Sequence, residues 1–268
     1  MGHAGGEIVT VSAPQFSLDF SGSTALVTGA SSGLGVRFAR VLAACGAQVA
    51  LCGRRAERLE TLAEEIRGAG GTAAAVAADQ TDLDAIPDLV ERATAALGPV
   101  DLLVNNAGVP DGTYAVRLSR QKADQVLATN LAAPFALASA VAQPLIEAGR
   151  GGRIVNVASM LAFDYGPTSA AALYATTKAA VVRMTEVLAL EWARYGINVN
   201  GIAPGLFESE MTDGMLERLG DVDPAAHFPR RRIGKAEDLD SALLFLMSPS
   251  SHFVTGTVIR VDDGQGRR

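Results

Sequence analysis

Thr24-Ala25-Leu26-Val27-Thr28-Gly29-Ala30-Ser31-Ser32-Gly33-Leu34-Gly35 decides how this chain is read. The first five residues are mostly apolar and partly β-branched, which suits a strand buried on both faces. A glycine-rich turn follows, and a helical pattern then runs over about 34–45. Strand, glycine turn and helix in that order are the setting of a dinucleotide-binding turn. Gly29 permits the tight turn, Gly33 lets backbone approach a pyrophosphate, and Gly35 allows the helix to pack closely on the strand. The N–H groups at the helix start, with Ser31, Ser32 and Leu34 beside the glycines, then face the phosphates. The glycine spacing is G-x-x-x-G-x-G rather than G-x-G-x-x-G.

The same alternation continues outward. Strand patterns fall at 24–28, 48–52, 72–78, 100–105, 152–158, 197–203 and 256–261, and helical patterns at 34–45, 55–68, 82–97, 118–148, 171–194 and 236–247. Short apolar strands alternating with helices predict a parallel sheet covered on both faces. Residues 1–20 are Gly-rich, then mixed, and read as a loose N-terminal extension to a single domain over 21–268. The stretch 204–232 breaks the alternation and is long for a strand-to-helix connection, which suits a substrate lid. Phe207, Met211, Met215, Leu216, Leu219 and Phe228 could wall a partly apolar ligand there, or simply pack the lid on the body.

The chain has 268 residues and a formal net charge of -6, which does not fit a basic nucleic-acid footprint. No apolar run reaches about 18 residues, so no membrane span is implied. Residues 1–20 lack the pattern of a secretory signal. Cys45 and Cys52 read as buried small hydrophobes rather than a disulfide. The expectation is a soluble, cytoplasmic protein. His3, His227 and His252 are scattered, without metal-ligand spacing.

Further candidates sit where parallel strands end, which is where ligands bind in open α/β sheets. Cys52-Gly53-Arg54-Arg55 closes the second strand. An acidic residue there would take the ribose hydroxyls of NAD; Gly53 has none, and Arg54 and Arg55 suit a 2′-phosphate. The alternative is a solvated start to the next helix. Asp79 ends the third strand, and Asn105-Asn106-Ala107-Gly108 ends the fourth, where small residues let a cofactor pass the backbone. Ser159 follows the fifth strand and reads as a donor to a carbonyl oxygen or as a helix cap. Asn130 lies inside a long helical pattern, an unfavourable place for Asn by propensity.

Tyr174 and Lys178 stand at i,i+4 in Tyr174-Ala175-Thr176-Thr177-Lys178, on one helical face. A phenol has an ordinary pKa of about 10. A lysine ammonium one turn away is expected to pull it down, making a general acid/base for an alcohol oxygen.

Together TGASSGLG, Asp79, NNAG, Asn130, Ser159, Tyr174-x-x-x-Lys178 and Pro204-Gly205 resemble a compact, single-domain short-chain dehydrogenase/reductase over about residues 21–264. The resemblance implies a three-layer, doubly wound Rossmann fold with a seven-stranded, mainly parallel sheet. It implies NADP-dependent hydride transfer between the cofactor and a carbonyl or secondary alcohol on a small or medium organic substrate. The alternatives are an NAD-linked enzyme working oxidatively and a non-catalytic dinucleotide sensor. By resemblance Ser159, Tyr174 and Lys178 form the catalytic triad and Asn130 is the fourth member, holding a water that connects Lys178 to solvent. Lys178 would also bond the nicotinamide ribose, and Pro204-Gly205 would pass beside the nicotinamide. Relatives of this kind pair helices 118–148 and 171–194 across a two-fold axis, which implies a homo-tetramer. Two departures stand out: the segment between Ser159 and Tyr174 is slightly long, and residue 32 is Ser where many NADP-using relatives carry a basic residue.

Overall fold

Seven strands form one sheet in the order β3-β2-β1-β4-β5-β6-β7. They are β1 (Thr24–Thr28), β2 (Gln48–Gly53), β3 (Thr72–Ala77), β4 (Val100–Asn105), β5 (Gly152–Val157), β6 (Ile197–Pro204) and β7 (Val258–Val261). Every pairing is parallel. This is the expected Rossmann-type α/β fold. The structure is a computed structural model, and residues 16–166, 169–212 and 223–266 are described. Residues 1–15, Met215, Leu216 and Leu219, all named above, lie outside the described residues.

Strand periodicity builds the two faces. In β1, Ala25 and Val27 enter one core while Leu26 enters the other. In β2, Val49 and Leu51 alternate with Ala50 and Cys52 in the same way. Two helical layers cover these faces. α1 (Gly33–Ala44), α2 (Ala56–Gly68) and α7 (Asp240–Met247) bring Phe38, Leu59 and Leu243 to the first core. α3 (Ile86–Leu97), α5 (Ala133–Glu147) and α6 (Ala172–Trp192) bring Leu89, Leu137 and Leu188 to the second. Successive side chains on a strand point to opposite faces, so an all-apolar strand needs a helix layer on each side.

Several boundaries differ from expectation. The 118–148 helix is α4 (Arg120–Leu127), a π-helical turn (Ala128–Ala132) and α5, end to end. Asn130 lies in that turn and is fully buried. This continuous helix, Arg120–Glu147, is long and apolar enough to cross a membrane by length and composition only, and half of its most apolar window is buried within the fold. The patterns at 82–97, 171–194 and 236–247 each include a short 3-10 segment, at Leu83–Ala85, Ala193–Tyr195 and Ala236–Leu239. The last strand starts at Val258, two residues later than its apolar pattern.

Residues 16–20 are not loose. Phe20 is 2% exposed in the first core. The Phe16 ring stacks on Phe245 at 6.2 Å. Ser248 donates its hydroxyl to the Ser17 carbonyl at 2.6 Å. Within the lid, Phe207 belongs to the core at 4% exposure, whereas Met211 is exposed and lines the cleft. Cys45 and Cys52 are both free, and burial pushes the Cys52 thiol up to about 12.

Candidate active site

The strand order reverses between β1 and β4, and a cleft of about 440 Å³ opens at their carboxyl ends. Its floor is the glycine turn. Gly29 (φ 67°) and Gly33 (φ 54°) adopt left-handed conformations, which cost a side chain free energy. A Cβ on Gly35 would run into the Gly29 carbonyl, so this glycine lets α1 lie against the strand end, as expected. Asn106 brackets the turn: its amide donates to the Thr28 carbonyl at 2.9 Å, and its backbone N–H donates to the Thr28 hydroxyl at 3.0 Å. Asn106 therefore ties β1 to β4 as well as lining the cleft. The N-terminus of α1 has no side-chain cap and no acidic residue in its first turn. Its free N–H groups, beside Ser31, Ser32, Gly33 and Leu34, fit a pyrophosphate.

Gly53, Arg54, Arg55 and Asp79 line the same cleft. Arg54 makes no hydrogen bond or ion pair among the described residues. Arg55 is engaged: its Nε donates to the Ser31 hydroxyl at 3.1 Å and one terminal nitrogen to the Glu210 carboxylate at 2.9 Å. Arg58 also pairs with Glu210, and these bonds hold the Glu210 carboxyl down at about 2. Sequence reading had passed over Glu210; nothing local links it to arginines some 155 residues earlier. Asp79 folds onto its own turn, accepting from the Thr81 N–H at 3.0 Å and the Thr81 hydroxyl at 2.8 Å. Those bonds, with Arg54 nearby, hold its carboxyl below the usual range.

At the opposite end β5 delivers Ser159, and α6 delivers Tyr174 and Lys178. The Ser159 hydroxyl acts on the Tyr174 phenol, pulling its pKa down. It also accepts from the Leu161 N–H at 3.2 Å, as the cap reading expected, while lining the cleft. Lys178 is 4% exposed and donates to the Val157 carbonyl at 2.7 Å. Its Nζ lies 5.7 Å from the centre of the Tyr174 ring. Asn130 stands behind them. It accepts from the Val109 N–H at 2.8 Å and donates back to the Val109 carbonyl at 2.9 Å. Ala107, Gly108, Pro204 and Gly205 complete the lining, and a Cβ on Gly205 would crowd Asp262 and Gln265 of the C-terminal segment. Ser169, another serine of the segment between Ser159 and Tyr174, lies outside the cleft, with its carbonyl accepting from the Tyr165 hydroxyl. A family model described as short chain dehydrogenase matches residues 23–219.

The chain belongs to the short-chain dehydrogenase/reductase family.

Similar members of this family include the gluconate 5-dehydrogenase of Gluconobacter oxydans, 40% identical over 91% of this chain and 94% of that one. A 3-oxoacyl-[acyl-carrier-protein] reductase of Thermotoga maritima is 35% identical over 91% of this chain and 97% of that one. Among solved structures, a gluconate 5-dehydrogenase from Burkholderia cenocepacia in complex with NADP and tartrate superposes with a TM-score of 0.87. It is 33% identical, over 93% of this chain and 97% of that one.

In this short-chain dehydrogenase/reductase the phenol's environment differs from expectation. Burial pushes the Tyr174 pKa above its ordinary value, the Ser159 hydrogen bond works against that, and the Asp111 carboxylate adds to the rise. Lys178 does not reverse it. Burial instead lowers the lysine itself to about 8. Desolvation has outweighed the attraction that the i,i+4 spacing suggested.

The depressed lysine has a consequence for stability. Between about pH 8 and 10.5 the folded Lys178 releases its proton while the unfolded chain keeps it. The unfolded state then binds more protons, so stability contributed by this group rises with pH. Relative to Lys178→Met, the wild type is expected to gain about 3 kcal/mol between pH 7 and the far side of that window. Urea unfolding of both proteins at pH 7, 8, 9 and 10.5 measures it; a constant gap would show that the lysine is not depressed.

Proposed function

We propose that this enzyme uses NADP(H) to interconvert a carbonyl and a secondary alcohol on a small or medium organic substrate. The observation carrying this reading is the makeup of the cleft. One end holds Ser159, Tyr174 and Lys178; the other holds Arg54 and Arg55 with no carboxylate at Gly53. The Arg54 guanidinium, held by no hydrogen bond among the described residues, suits a 2′-phosphate, and a missing acid removes both the NAD ribose contact and the repulsion of that phosphate.

A bound nicotinamide supplies or accepts the hydride. Ser159 donates its hydroxyl proton to the substrate oxygen and orients it. Tyr174 gives its proton to the forming alkoxide, or takes one from the alcohol in reverse. Lys178 holds a positive charge beside the phenol and would bond the nicotinamide ribose of a bound cofactor. Asn130 fixes the Val109 backbone and holds the water that links Lys178 to solvent. The gluconate-acting relatives support a hydroxylated acid as substrate. A screen following NADPH absorbance, with oxo-sugar acids, simple ketones and 3-oxoacyl thioesters, tests the proposal. Tight NADPH binding without turnover on any of them would instead support a sensor.

A second reading, NAD as cofactor, draws on one contact. Glu210 neutralises Arg55 and Arg58, leaving fewer free cations for a 2′-phosphate. Comparing NADPH and NADH affinities separates the two.

The same proposal takes the enzyme as a cytoplasmic homo-tetramer formed from single-domain subunits, with a lid over about 204–232. Leu127 and Phe135 on the long helix, and Val187 and Leu190 on α6, are apolar and exposed, Leu190 by 79%. Exposed apolar patches on neighbouring helices suit an interface. Sedimentation at micromolar concentration is expected to give a tetramer; monomer alone would contradict it.

A further inference from the structure

The strongest feature outside the residues assigned above is Asp111, three positions past the Asn-Asn-Ala-Gly turn. Its side chain is buried, at 6% exposure. Oδ2 accepts a hydrogen bond from the backbone N–H of Tyr174 at 3.0 Å, across 63 residues of sequence. Oδ1 is buried with no hydrogen-bond partner among the described residues. A buried carboxylate with one oxygen unsatisfied is costly, so its retention asks for a reason beyond packing.

Part of the reason is local. α6 begins after Ala171, which offers no side-chain cap, and it has no acidic residue in its first turn. Helix N-termini favour an acceptor and a negative charge. Asp111 supplies both from another element, and does so at the third residue of the helix, which is Tyr174. The loop carrying it is held in turn: Asn130 clamps the Val109 N–H and carbonyl with its amide group. The buried π-helical turn, the 109–111 loop and the start of α6 are therefore joined by hydrogen bonds.

We propose that Asp111 is a positioning residue for Tyr174, its buried carboxylate holding the first turn of α6 and opposing negative charge on the phenol. The inference rests on the reading of Tyr174 as the proton-transfer group. Three groups face that phenol: Asp111 from the loop after β4, Ser159 from the segment after β5, and Lys178 from α6 itself. Burial and Asp111 disfavour the phenolate, and Ser159 favours it. At low local dielectric a fixed negative charge holds its neighbour in the protonated form. A protonated phenol is the acid that quenches an alkoxide, and Asp111 keeps the phenol in that form to higher pH. Alcohol oxidation, which needs the phenolate, is pushed to higher pH.

Asp111→Asn separates charge from shape, because its amide oxygen can still accept the Tyr174 N–H. The phenolate band of Tyr174 is read by ultraviolet titration, subtracting the same protein carrying Tyr174→Phe. Asp111→Asn is expected to move that titration, and the rising limb of the pH profile for alcohol oxidation, to lower pH by about one unit. A titration unmoved from the wild type would overturn the proposal. If Asp111→Asn does not fold, Asp111→Ser removes the charge with a smaller neutral side chain, and its Tyr174 titration is read in the same way. Near wild-type turnover in Tyr174→Phe would sink the proton-transfer reading itself; an inactive Tyr174→Phe with an unmoved Asp111→Asn titration would sink this inference alone.

Discussion

Tyr174→Phe is expected to lower the rate of hydride transfer by roughly 10²–10⁴-fold, the usual worth of a positioned acid or base. Cofactor affinity should stay nearly unchanged. The ring still fills its place on α6, and only the phenol hydroxyl is lost. The groups that fit the pyrophosphate and adenosine lie at the other end of the cleft, around Ser31, Ser32, Gly33 and Arg54. Single-turnover hydride transfer and cofactor titration, measured separately, decide the matter. Turnover close to wild type would remove Tyr174 from proton transfer, and a parallel loss of cofactor binding would show that the phenol is structural.

The second large effect is a reversal of cofactor preference by Gly53→Asp combined with Arg54→Ala. The structure makes this pair of changes readable. A Cβ at residue 53 would sit 3.4 Å from the Ser31 hydroxyl and 3.6 Å from Leu59, which is ordinary contact. A side chain can therefore leave the backbone here without moving the strand. Arg54 is the residue to remove, because Arg55 is already bound to Ser31 and Glu210. A charge-assisted hydrogen bond contributes about 1.5–3 kcal/mol. At about 1.4 kcal/mol per decade, losing one such bond lowers NADPH affinity by about tenfold or more. The added carboxylate acts in the same direction by repelling the 2′-phosphate and bonding the NAD ribose. The variant should therefore prefer NADH. Titrating both cofactors into both proteins at fixed ionic strength measures it. An unchanged ratio, or a wild type that already favours NADH, would make Arg54 an ordinary surface residue.

Much of the molecule was legible before any coordinates. The alternation of β-rich and helical patterns, the glycine turn and the strand ends led to the right sheet and brought Ser159, Tyr174 and Lys178 to one cleft. Those signals are local. A strand repeats every two residues, a helix every 3.6, and a glycine turn is needed where φ is positive. Even the doubtful Asn130 was flagged by a local rule, since Asn is out of place inside a helix. Its setting, a buried π-helical turn clamped to Val109, was not legible, because π and α turns share nearly the same side-chain pattern.

By itself, then, the sequence determined the parallel Rossmann-type sheet, the glycine turn and the family, because each is written in spacings of a few residues. Tertiary structure alone decided the electrostatics. Glu210 reaches arginines about 155 residues away, and Asp111 caps the helix of Tyr174 from 63 residues away; neither contact leaves a trace in the local pattern. The i,i+4 step set Lys178 beside Tyr174 but could not say which way either group would titrate. That depends on how much water the surrounding chain excludes, and here exclusion raised the phenol and lowered the lysine to about 8. Spacing along a helix sets which groups meet, while packing from distant segments sets the dielectric in which they act.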